Sequence, residues 1–165
     1  MPVSRNRPRA KKQNTNHTRV EYNRRSVRDL AIQIRRIDDV IEYTMRVTRG
    51  MIDQTRNLVG VDNSYINGLL RRVVNATVEL NDRLRHYREL FEPIQQARDE
   101  DITGSVMNLF GEITEETHNI ESNIFQPIYD VQEEINNHAD KQDQVCLKLF
   151  NQLIEELEEV NPSKA

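Results

Sequence analysis

From Ile66 to Phe91 the strongly apolar residues fall at alternating steps of four and three: Ile66, Leu70, Val73, Thr77, Leu80, Leu84, Tyr87 and Phe91. A strand alternates faces every second residue and cannot hold this series on one side, whereas a helix of 3.6 residues per turn keeps all eight on a single stripe. The segment is therefore an amphipathic helix, and its dry face needs partners of the same kind. The rest of the chain supplies them.

Upstream, Ser26 offers an N-cap with Asp29 three residues on, followed by Val27, Leu30, Ile34, Ile37, Ile41, Met45, Thr48, Ile52, Thr55 and Val59. The step from Ile41 to Met45 breaks the seven-residue alternation and predicts a stutter-like relaxation of supercoiling there. Secondary apolar positions at Ile32, Val40, Val47, Val74, Val78 and Phe110 widen the stripes enough for more than one neighbour. Gly60 and the Asp62, Asn63, Ser64 cluster predict a stop, a turn and a second helix starting near Ser64. Pro93 predicts an end or kink, with Gln95 to Asp101 as connector and Asp99, Glu100 and Asp101 favouring the next N-terminus. A third stripe runs Ile102, Val106, Leu109, Ile113, Thr117, Ile120, Ile124, and Pro127 either ends it or opens the next helix. The fourth reads Ile128, Val131, Ile135, Cys146, Leu149, Leu153, Leu157, Val160. Its polar stretch from Asn136 to Gln144 lacks Gly and Pro, which favours a continuous helix over a break.

The predicted fold is all-α: an elongated, coiled-coil-like bundle of about four long helices over residues 26–160, after a basic arm at 1–25 and before a tail at 161–165. A first helix of about 33 residues is roughly 50 Å long, against a diameter of roughly 37 Å for a compact globule of this size, so the body is extended or another chain covers part of its first seam. Val, Ile, Leu and Phe make up 27% of the 165 residues, enough to fold. No 18-residue apolar run predicts a membrane span, and no secretory leader is recognised, which leaves the sequons at Asn16 and Asn75 idle and places the protein in the cytoplasm or nucleus, or within a viral particle.

Formal net charge is −4, yet it is steeply graded: +7 over residues 1–25, +2 over 26–98 and −13 over 99–165. The first segment carries Arg5, Arg7, Arg9, Lys11, Lys12, Arg19, Arg24 and Arg25 and has only Val3 and Val20 as strongly apolar residues, too few to offset its ordering entropy. It reads as a flexible cationic clamp, for the phosphates of nucleic acid without sequence preference or for an acidic protein surface. Tyr22 is its only aromatic, which does not support base stacking. Glu155, Glu156, Glu158 and Glu159 offer such an acidic surface at a helix C-terminus, where the macrodipole already places negative charge.

Other chemistry is thin. Glu115 and His118 form a single Glu-x-x-His pair where a di-iron bundle uses two, and neither His86 nor His138 supplies the second copy. Cys146 sits on an apolar stripe without a cation to activate it. No phosphate loop or nucleophile arrangement is recognised, and no catalytic, cofactor or metal residue is assigned. The expectation is a non-enzymatic structural or assembly protein that self-associates or joins a larger complex through helix packing and its basic arm. A nucleic-acid-packaging protein and a helical adaptor are the alternatives. An excess of Arg over Lys, 18 to 5, together with sixteen Asn, is similar in composition to small structural proteins of viral particles.

Overall fold

A computed structural model describes residues 3–97 and 101–162, with side chains from Glu21 onward except Tyr22. The described chain is all-α. Its helices are α1 (Val3–Thr55), α2 (Asn63–Gln96), α3 (Thr103–Ile120), α4 (Gln126–His138) and α5 (Gln144–Glu158), with a π-helical turn at Glu121–Phe125 and a 3₁₀ turn at Lys141–Asp143. Because α3, the π turn and α4 form one uninterrupted helical run, the bundle has four rods in up-down-up-down order.

The second stripe is buried at every position from Ile66 to Phe91, and Ile94 extends it by one more step of three. In α1 the seam also keeps its rhythm, through Leu30, Ile34, Ile37, Ile41, Thr44, Thr48, Met51 and Thr55, and Leu58 continues it past the helix end. The stutter expected at Met45 is absent. Thr44 occupies the seam in its place, fully buried, while Met45 and Ile52 are half-buried and Val59 is exposed. Val40 and Val47 are fully buried beside it, so α1 presents a broad dry face covered by α2, α3 and α5 of its own chain. No second chain is needed to dry the first seam.

Helix limits differ from expectation at the start of α1, at the end of α2 and between α4 and α5, while the starts of α2 and α3 fall where expected. Backbone is helical from Val3, so the leading basic residues enter α1 and Ser26 is a buried interior residue rather than a cap. The second helix is capped by Asp62, whose carboxylate accepts the Tyr65 N–H at 3.1 Å. Pro93 does not stop α2, because a proline one turn from the end removes a single N–H; the helix closes at Gln96, and the Ala97 N–H bonds to the Pro93 carbonyl. Asp101 accepts the Thr103 N–H at the start of α3, whereas Asp99 and Glu100 lie outside the described residues. Pro127 falls in the first turn of α4, directly after the π turn, where the Gln126 N–H reaches back five residues to Glu121.

The remaining difference is the break between α4 and α5, made without Gly or Pro. The Asp143 carboxylate accepts the Asp140 N–H at 3.0 Å, closing a capping box, and also takes the Val59 and Gly60 N–H groups at 3.0 and 3.1 Å. These hydrogen bonds, led by the one from Asp140, hold the Asp143 carboxyl below its usual range. The 3₁₀ turn resets the helical phase, so α5 buries Phe150 and Ile154 rather than the expected Leu149, which is exposed; Leu157 is buried as expected, and Cys146 and Leu153 lie at the flank. Asn161, in the expected tail, is buried and donates to the Tyr129 hydroxyl at 3.3 Å.

At 15 residues α5 spans only about 22 Å, and it ends beside Tyr129, just past the π turn. On one side of that level α3 packs on α1 and α2; on the other α4 packs on α2 and α5, and α5 packs on α1. The bundle thus changes from three rods to four at the π turn. Among the described residues no helix is long and apolar enough to cross a membrane.

Candidate functional site

The acidic end of α5 lies against the last quarter of α1. The two helices run antiparallel, as shown by Gly50 facing Leu153 and by the Arg46 guanidinium bonding the Glu156 carboxylate. Arg46 also lies 4.8 Å over the Tyr43 ring. Both members of the ion pair are solvent-accessible, so it stabilises by at most about 1 kcal/mol. Glu155 and Glu159 are exposed on the same helix end, and Glu158 is half-buried.

Of the expected cationic clamp, Arg24 and Arg25 are exposed on α1. Arg5, Arg7, Arg9, Lys11, Lys12 and Arg19 stand on its helical backbone, and their side chains lie outside the described residues. The fold does not bring Arg24 or Arg25 to the α5 end: the 21 residues from Arg25 to Arg46 separate them by about 32 Å along α1.

Glu115 and His118 are both exposed on α3, His138 lies 3.7 Å from Glu134 one turn away, and Cys146 is a half-buried free thiol. No group of three or more potential ligands that could hold a metal occurs among the described residues.

Two polar clusters emerge only in the fold. The first is centred on Glu116, which takes the α3 seam position next to the expected Thr117 and is fully buried. The Arg83 guanidinium from α2 bonds its carboxylate, the Tyr87 hydroxyl donates to Oε1 at 3.3 Å, and the Asn119 amide donates to Oε2 at 3.3 Å. Hydrogen bonding to Glu116 holds the Arg83 pKa above its ordinary value, against the opposing pull of partial burial. Burial, then the negative charge of Glu116, pushes the Tyr87 phenol up to about 12. A phenol that holds its proton more tightly when folded contributes stability that is complete below pH 10 and is lost as pH rises through about 12. Urea midpoints between pH 9 and 12 should therefore fall less steeply for Tyr87→Phe than for the parent, and parallel slopes would refute this coupling.

The second cluster is a cleft of about 360 Å³ where the end of α1 meets the start of α2, lined by Ile52, Arg56, Asn67, Arg71 and Val74. Strict periodicity marks the Glu116 position in the sequence, but nothing there pairs Arg56 with Arg71, because their meeting depends on how α1 and α2 cross.

The chain matches no protein-family model, no curated protein and no solved structure.

Proposed function

We propose that the protein is a non-enzymatic assembly component, a minor structural part of a viral particle or other large complex, whose basic N-terminal segment docks on the acidic α5 end of a neighbouring copy. The observation that carries this reading is the separation of the two charges. The α5 acids meet α1 at Arg46, about 32 Å from Arg25, so the end of the cationic segment lies far from the α5 acids of its own chain. The apolar seams are covered within the chain, so docking through the opposed charges leaves the core intact. Such contacts are screened by salt.

Light scattering on the full chain and on a chain lacking residues 1–25, each at low and high salt, tests it. The expected result is a larger mass for the full chain at low salt only, abolished by truncation and by the double substitution Glu155→Lys, Glu159→Lys. Unchanged mass in all four conditions would sink the reading. The eight cations of the segment equally suit phosphates. Submicromolar, truncation-sensitive binding of duplex or single-stranded DNA at near-physiological salt, without self-association, would replace assembly by nucleic-acid packaging.

A further inference from the structure

The cleft between α1 and α2 concentrates positive charge that the fold does not neutralise. Arg56, just past the last residue of α1, and Arg71, in the third turn of α2, line the same small volume, and neither pairs with a carboxylate among the described residues. Of the acids at this end of the bundle, Asp53 is exposed on α1 and forms no ion pair with either arginine, and two others are engaged elsewhere. Asp62 caps α2, and Asp143 takes three backbone N–H groups from the adjoining loops. From Arg46 to Val78 the chain carries five arginines against two acids. Two guanidiniums in one concave site repel each other, and a doubly charged anion between them reverses the sign of that interaction.

The remaining lining residues narrow the ligand. Asn67 places a carboxamide beside the guanidiniums, a neutral donor that complements an oxygen-rich anion. It stands in the second turn of α2, near the positive end of that helix dipole. Ile52 and Val74 supply apolar wall, which a bare inorganic ion would leave uncovered. Planar guanidinium forks match the oxygens of a phosphate in pairs, in a way a lysine ammonium does not. We infer that this cleft binds a small phosphomonoester, its phosphate held by Arg56, Arg71 and Asn67 and its apolar body against Ile52 and Val74.

The probes are phenyl phosphate, inorganic phosphate and benzoate, titrated calorimetrically into the full chain at matched ionic strength. Phenyl phosphate is expected to bind several-fold more tightly than inorganic phosphate and more than tenfold more tightly than benzoate, and to shift the side-chain amide resonances of Asn67. Arg56→Gln and Arg71→Gln should each weaken phenyl phosphate at least tenfold, while Arg72→Gln, next to the cleft but not lining it, retains parent affinity. Both lining arginines are exposed. Each cleft variant should therefore keep the parent's helical circular dichroism and, with the repulsion removed, at least its stability at low salt. Equal affinity in the parent and both cleft variants, equal loss in Arg72→Gln, or tight binding of an oligonucleotide with none of phenyl phosphate would overturn the proposal.

Discussion

Arg83→Ala is expected to lower stability by about 3 kcal/mol, a fall of about 6–12 °C in thermal midpoint for a chain of this size. The substitution leaves the Glu116 carboxylate fully buried with only the Tyr87 hydroxyl and the Asn119 amide as donors. The estimate sits at the low end for a broken buried pair because the Arg83 side chain is 39% exposed and already partly hydrated. Removing the other partner is milder: in Glu116→Gln the shape is kept, and the orphaned guanidinium can turn to water. Replacing both, as Arg83→Met with Glu116→Leu, should recover most of the loss, since two apolar side chains of similar volume need no counter-charge. A double-mutant cycle on urea midpoints measures the coupling, and additive losses would show that the pair does not act as a unit.

Glycine substitutions should separate into losses and gains according to what surrounds each Cβ. At Gly60 an added Cβ would lie 2.6 Å from the His138 carbonyl oxygen and 2.7 Å from Asp140 Cγ, against a backbone carbonyl and the side chain that caps the 3₁₀ turn. Gly60→Ala should cost about 1–3 kcal/mol and loosen the junction of the two interhelix loops. At Gly68, within α2, a Cβ meets nothing within 4 Å, so Gly68→Ala should stabilise by up to about 1 kcal/mol through helix propensity alone. Thermal denaturation of the two variants side by side checks both signs, and a Gly60→Ala as stable as the parent would refute the loop contact. Asp143→Asn should damage the same junction. The lowered Asp143 pKa means that its contribution is present above the ordinary carboxylate range and disappears as pH falls through the folded value, so the variant's acid-side stability curve should be flatter than the parent's.

Thr44 and Glu116 show how far the sequence could be read. Each stands where the four-three alternation of its helix places a buried residue, and each is passed over when hydropathy is allowed to overrule period. In α1 that substitution of criteria produces a stutter at Met45 that the folded helix lacks. In α3 it moves the seam from Glu116 to Thr117 and hides the polar cluster. The α4–α5 break was hidden for a different reason: its stop signal is a carboxylate that bonds one N–H nearby and two from a loop more than eighty residues away. Assuming a continuous helix carried the phase across that break and placed Leu149 in the core instead of Phe150.

Periodicity and charge in the sequence determined the all-helical class, the α2 seam residue by residue and the opposed charges of the two ends, because each of these is a property of residues close together along one chain. Tertiary structure alone decided the antiparallel seat of α5 on α1, the Asp143 junction, the partner of Glu116 and the meeting of Arg56 with Arg71. Those depend on which face of one helix meets which face of another, and a stripe of apolar residues records only that a face is dry.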